Sequence, residues 1–229
     1  YGYCYYQGIG VEEDDSQAVE WFAKAAEQGY PRALDLLGVC YSHGYGVEKD
    51  QAEAARLYRQ GHELGYPPAT CSLGMCYELG EGVEVDKGMA AELYRQAAER
   101  GDARAQCNLG FFYYHGIGVE EDDADAAAWF ARAAGQGYHR AEFFLGECYE
   151  NGYGVEKDLK RAVELYTLSH EGGYPEGSYA LGQCCEEGRG LRRNVRRARE
   201  LYQQAADRGH KKAVEALKRL DKKKLFGKK

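Results

Sequence analysis

YPRALDLLGVCYSHGYGVEKDQAEAARLYRQGHELG, residues 30–65, reads as two short helices joined by a glycine turn. Pro31 suits a first helical turn, where the missing N–H leaves no bond unmade. Ala33, Leu37, Cys40 and Tyr41 recur at i, i+4, i+7 and i+8, one apolar stripe on a helix termed A here. Gly44 accepts the left-handed conformation that ends such a helix. After Gly44-Tyr45-Gly46-Val47-Glu48-Lys49, Asp50 stands where a carboxylate caps helix B. Glu53, three residues on, has the spacing of a reciprocal capping box. Helix B carries Ala54, Leu57 and Tyr58 on its buried side, and Gly65 ends it.

The same text repeats at 36-residue intervals along the chain. Gly2, Gly38, Gly74, Gly110, Gly146 and Gly182 mark the period, with a leucine before the last five. Three residues later stand Tyr5, Tyr41, Tyr77, Tyr113 and Tyr149, and Cys185 breaks the series. Each copy has its Gly-x-Gly turn and its cap, from Asp14 through Asp50, Asp86, Asp122 and Asp158 to Asn194. The units are a partial 1–29, then 30–65, 66–101, 102–137, 138–173 and 174–209, with a basic capping helix and tail over 210–229. One hairpin cannot bury both its stripes, so stacking must complete the core. The period therefore predicts a single all-α repeat domain, a solenoid of helix–turn–helix units. Unit one begins inside its A helix at Tyr1, so residues preceding it are expected in the parent protein.

The string Ala33…Leu37-Gly38-x-x-Tyr41-x-x-Gly44-x-Gly46-Val47-x-x-Asp50…Ala54…Leu57-Tyr58 resembles the Sel1-like repeat, a relative of the tetratricopeptide repeat. The copy with Trp129-Phe130 and Ala133-Ala134 is closer still, and the resemblance runs from residue 1 to about 217. It implies a right-handed α/α superhelix whose concave wall is made by the A helices, and a scaffold or adaptor role. One subgroup, the Helicobacter cysteine-rich proteins, is associated with penicillin binding and β-lactamase activity, and bridges its helix pairs with disulfides. The sequence departs from that subgroup: it has no Ser-x-x-Lys, Ser-Asp-Asn or Lys-Thr-Gly, and its cysteines are spaced differently.

Cys4, Cys40, Cys76, Cys148 and Cys184 share one repeat position with Phe112, the pattern of a small core packer. Stacked units stand roughly 10 Å apart, beyond disulfide reach, so reduced thiols and a reducing, cytoplasmic compartment are favoured. His43 pairs with His115 and His62 with His170 by repeat position, at helix ends rather than in a cluster. No metal motif, phosphate-binding loop or cofactor is expected. The acidic turns, such as Glu12-Glu13-Asp14-Asp15, lack the alternation of a calcium loop. No apolar run approaches the roughly 18 residues that cross a bilayer.

Charge is distributed unevenly. Residues 1–187 carry a net −19 and residues 188–229 a net +12. Arg189, Arg192, Arg193, Arg196 and Arg197 make a basic end that suits either a solvated terminus or a polyanion site. The acidic body opposes nucleic acid elsewhere.

The face of helix A opposite its apolar stripe carries Arg32, Asp35, Val39 and Ser42, and these positions vary between copies while the stripe does not. The groove residues expected there are Tyr3, Val39, Met75, Arg104, Phe111, Tyr114, Arg140, Phe143, Glu147 and Tyr179, joined by Tyr6, Glu78, Glu150 and Glu186. Phe111, Tyr114 and Phe143 are expected to form an aromatic patch flanked by Arg104 and Arg140, the composition of a protein interface. The sequence thus predicts a non-enzymatic scaffold for a protein or peptide. The alternatives are a penicillin-recognising protein and a polyanion binder at the basic end.

Overall fold

The computed structural model describes the backbone of residues 1–226 and the side chains of residues 1–222. Thirteen helices and no strand occur among them. The chain divides into two compact units, Tyr1–Glu121 and Asp122–Lys229. The first holds α1 (Gly2–Gln7), α2 (Asp15–Glu27), α3 (Pro31–His43), α4 (Gln51–Glu63), α5 (Pro67–Leu79), α6 (Lys87–Glu99) and α7 (Ala103–His115). The second holds α8 (Asp123–Ala134), α9 (His139–Asn151), α10 (Leu159–Glu171), α11 (Pro175–Glu187), α12 (Val195–Asp207) and α13 (Lys211–Phe226). Odd numbers are A helices and even numbers B helices, and α13 stands in the A position.

Each helix end has a local cause. Asp14, Asp50, Asp86, Asp122, Asp158 and Asn194 all accept a hydrogen bond from a backbone N–H in the first turn of the following B helix. Asp102, which the period did not single out, caps α7 in the same way. The reciprocal half of the capping box is absent. Glu53 instead holds Arg56 at 2.7 Å, and the Asp50 N–H donates to the Tyr41 carbonyl at 2.9 Å. That carbonyl belongs to the end of α3, where an acceptor without a helical partner is nearer than any side chain.

The two glycines of each turn do different jobs. Gly44 has φ +80° and its N–H returns to the Cys40 carbonyl, closing α3. Gly46 and Gly82 lie against the backbone at the start of the preceding B helix, Asp15 and Gln51 respectively, where a Cβ would overlap peptide atoms. The second glycine is therefore a stacking residue, and it fixes how closely one hairpin approaches the last.

The core of each unit is the predicted ridge. Ala18, Phe22, Leu34, Leu37, Cys40 and Leu57 cluster in the first unit, as do Ala54, Tyr58, Leu73, Cys76 and Leu93. Leu181, Cys184, Leu201, Tyr202, Ala213 and Leu220 do so in the second. The A helices bury more than one stripe, however. In α7 every residue from Ala105 to Gly110 is enclosed, because the helix is packed by α6 on one side and touches α5 on another. Lys211–Phe226 lies within the span expected for the cap and tail and closes α12 with Ala213, Ala216 and Leu220.

Candidate functional site

Each unit has a cavity walled by successive A helices. In the first unit a hollow of about 390 Å³ is lined by Val39, Ser42 and His43 of α3, Ser72, Met75 and Leu79 of α5, and Arg104 of α7. In the second, one of about 490 Å³ is lined by Phe143, Glu147 and Glu150 of α9 and by Glu176, Tyr179 and Gln183 of α11. Tyr166 of α10 also lines it, and His210, Lys211 and Lys212 form its far edge.

The expected groove residues separate into rows with distinct duties. The Ser42 row serves the B helices. Tyr94 donates its hydroxyl to Glu78 at 2.5 Å, Tyr166 to Glu150 at 2.8 Å and Tyr202 to Glu186 at 2.9 Å. Glu186 also pairs with Arg219 and is buried, so it is no part of an open wall. Glu150 is paired again by Arg189. The sequence carried the signal for this. The ring is Tyr where the A helix offers Ser42, Glu78, Glu150 or Glu186, and Phe22 or Phe130 where it offers Tyr6 or Tyr114.

The Asp35 row fills the space between A helices. Cys71 and Cys107 are fully enclosed. Phe143 packs on Phe144 at 5.2 Å, Tyr174 at 5.8 Å and Tyr166 at 6.0 Å between ring centres. Tyr179 stacks on His210 at 4.4 Å. Burial pushes the Asp35 carboxyl above its ordinary range, against the pull of Arg104 and the Ser72 hydroxyl. Arg104 itself is held in place, donating to the Pro68 carbonyl at 3.0 Å and to Ser72 at 2.9 Å. Its partners make it part of the wall. Arg140 lies over Phe144 with 5.5 Å to the ring centre.

The Val39 row faces the cavities. Val39 and Met75 line the first, and Glu147 and Gln183 the second. Tyr3 is exposed at 43% beneath the Arg32 guanidinium, 5.3 Å from its ring centre. Phe111 is half-buried, edge-on to His115 at 4.3 Å, and Tyr114 meets the same imidazole at 4.9 Å. These two and Arg104 belong to the first unit, Phe143 and Arg140 to the second.

Glu147, half-buried, differs from Glu142, Glu150 and Glu186 of its unit. His139, Arg189 and Arg219 face Glu142, Glu150 and Glu186 respectively, whereas the Glu147 carboxylate accepts no hydrogen bond from the described residues. Burial pushes it up to about 7, with Lys212 opposing the shift.

The basic end is partly spent. Arg189 pairs with Glu150 and Glu187, Arg193 donates to the Glu186 carbonyl, and Arg196 and Arg197 share Glu200. Arg192 is exposed. His62 and His170, equivalent in the repeat, meet Thr70 and Ser178 of the following A helices at 3.1 and 2.9 Å. The cysteines are free thiols, and burial pushes Cys71, Cys148 and Cys184 up to about 12. No helix among the described residues is long and apolar enough to cross a membrane.

The Sel1 repeat model matches residues 1–30, 31–66, 67–102, 103–138, 139–174 and 175–210. The chain is a Sel1 repeat protein. These boundaries fall one residue later than those read from the glycine period. Among solved structures, a Sel1 repeat protein from Oxalobacter formigenes is similar at 32% identity over 94% of this chain and 84% of that one, with a TM-score of 0.83. A protective antigen present in uropathogenic Escherichia coli strains, displaying an SLR fold, is 36% identical over 96% of this chain, with a TM-score of 0.77. The chain spans about half of that antigen, 47% of its length. An immunity protein from Pseudomonas aeruginosa shares the fold at 23% identity, over 90% of this Sel1 chain and 81% of its own, with a TM-score of 0.61. A comparison with curated proteins returned no match. Sel1 repeats build scaffolds that commonly serve protein interaction.

Proposed function

We propose that this Sel1 chain is a non-enzymatic scaffold or adaptor that holds a protein or peptide against the exposed faces of its A helices. One observation carries the reading: in both units the cavity is walled by consecutive A helices, and the residues facing it are those that change from copy to copy. Val39 becomes Met75 in one unit, and Glu147 becomes Gln183 in the other, over a ridge of Ala, Leu, Gly and aromatic residues that hardly changes. A stacked array supplies the rigid wall, and substitution within one row tunes what it accepts. Burial pushes the Cys71 thiol away from its nucleophilic form, and His62 and His170 are engaged with Thr70 and Ser178, which supports the non-enzymatic reading.

The test uses peptides selected from a phage-displayed random library on the full chain, mapped by hydrogen exchange. Protection is expected in α3, α5 and α7 or in α9 and α11. Phe111→Ala with Phe143→Ala should weaken capture at least tenfold while the helical circular dichroism persists, since anchors of this type carry about 2 kcal/mol or more. Peptides protecting only B-helix faces or the Gly-x-Gly turns would refute the groove.

A further inference from the structure

The hollow of the second unit has a more definite chemistry than a general binding groove. Phe143, Tyr166 and Tyr179 give it aromatic walls that match the methylene stem of a long side chain. Glu147 reaches it with a carboxylate that accepts no hydrogen bond from the described residues, while Glu142 meets the His139 imidazole and Glu150 and Glu186 face the guanidinium groups of Arg189 and Arg219. Holding a half-buried acid beside apolar rings without a counter-charge costs stability, and a guest able to supply one recovers part of that cost. We propose that this cavity receives a single cationic side chain, the guanidinium of an arginine or the ammonium of a lysine, from a peptide lying across α9 and α11. The inference rests on the scaffold reading and names the chemistry of its guest.

The charges around the cavity fix the sign. From α9 come Glu147 and Glu150, from α10 Tyr166, from α11 Glu176 and Tyr179, and from the start of α13 His210, Lys211 and Lys212. Glu150 is already paired by Arg189, and the Glu176 carboxylate sits in the first turn of α11, where the helix dipole favours it. Both lysines are exposed, and their flexible stems carry the charge into water. His210 is held neutral, its Nδ1 accepting from the Ala213 N–H at 3.1 Å, and burial pulls it below its ordinary range. Among the described residues Glu147 lines the cavity from α9 with no ion-pair partner, as Glu176 does from the first turn of α11, and Glu147 is the one set beside the aromatic walls of Phe143 and Tyr166. A cation entering here displaces Lys212 from its long-range role and favours the ionised form of Glu147. Binding should then strengthen as pH rises, because Glu147 ionises over the window where His210 has already lost its proton.

Two short blocked peptides, identical except for arginine or its neutral isostere citrulline, test this by NMR titration of the full chain. At about pH 8 the arginine peptide should bind roughly tenfold tighter than the citrulline one, and that advantage should shrink about tenfold near pH 6. Glu147→Gln should erase the difference, with unchanged circular dichroism showing that the fold survives. Lys212→Ala, at an exposed position, should tighten the arginine peptide by removing a competitor. Equal binding of both peptides, or of neither, overturns the proposal, as does discrimination that persists in Glu147→Gln. Weaker binding in Lys212→Ala together with capture of a glutamate peptide would instead mark an anion site. Library peptides that protect α9 and α11 while arginine and citrulline bind alike would refute the cation and leave the scaffold standing.

Discussion

Gly146→Ala separates two physical effects that usually act in opposite directions. Inside a helix the change should stabilise by about 0.5–1 kcal/mol, since alanine has less freedom to lose on folding. In α9 the added Cβ would stand 2.5 Å from Cε1 and 2.7 Å from Cδ1 of Tyr166. That ring has no room to yield, for it is fully buried and its hydroxyl is tied to Glu150 at 2.8 Å. Overpacking of this kind costs about 1–3 kcal/mol. If the ring tilts to escape, the bond to the carboxylate, worth about 1.5–3 kcal/mol, is lost instead. Either route outweighs the propensity gain, and a net loss of about 1–3 kcal/mol is expected. Gly88→Ala is the control. It sits in the first turn of α6, where a Cβ would meet only Asp86 Oδ1, at 3.4 Å, so it should be neutral or mildly stabilising. Urea unfolding followed by far-ultraviolet circular dichroism reads both. Equal midpoints for the two variants, or a Gly146→Ala protein more stable than the parent, would refute the close ridge on which the repeat packing is argued.

Glu147→Gln should change stability in a pH-dependent way. The folded carboxyl lies near 7 against an ordinary 4.5, so the native chain holds the proton more tightly and loses stability as pH rises between those values. The variant should therefore match the parent below about pH 4.5 and exceed it by about 1–3 kcal/mol above pH 7, after allowing for partial exposure. A difference that is constant across pH would contradict the half-buried carboxylate without a described partner. Thiol reactivity offers a separate check. With burial raising Cys40, Cys76, Cys148 and Cys184 to about 11 or 12, the native chain should react slowly with an aromatic disulfide reagent near pH 8, and half-buried Cys4 should react first. Rapid modification of several thiols before unfolding would show that their position is not a core position.

The fold was legible because the period put the same physical instruction down six times. Asp or Asn at the caps, Gly at the A-helix ends and the Ala/Leu ridge each have a local cause, and local causes can be read from one chain. Two features escaped for lack of a local cause. The Asp50 N–H donates to the Tyr41 carbonyl rather than to the Glu53 carboxylate, a choice settled by where α3 ends in space. The second glycine of each turn reads as part of a loop, yet Gly82 is set by the backbone at Gln51, roughly thirty residues earlier, a distance that spacing within one hairpin cannot express. At the site, a helical wheel gave the right face but could not rank its rows, because a wheel knows nothing of the neighbouring helix. Glu147 and Glu186 look alike on it, and only packing makes one a cavity wall and the other a buried partner of Tyr202.

That ranking bears on how such an array can change its guest without losing its fold. The Ser42 row is tied to the B-helix rings: replacing Glu78 or Glu150 would strand the hydroxyl of Tyr94 or Tyr166 unless the ring became Phe, as it is at Phe22 and Phe130. The Asp35 row fills volume between adjacent A helices, so Cys71 and Cys107 cannot grow without separating them. The Val39 row is held less tightly, although Val39 packs against the core of its unit and Phe111 meets His115. Its side chains run from Tyr3 through Val39, Met75 and Phe111 to Glu147 and Gln183, spanning aromatic, aliphatic, acidic and amide chemistry at one repeat position. A position that accepts so wide a range under one backbone is constrained by something other than packing. The wall facing the cavities is where substitution costs the fold least, and therefore where recognition has most room to vary.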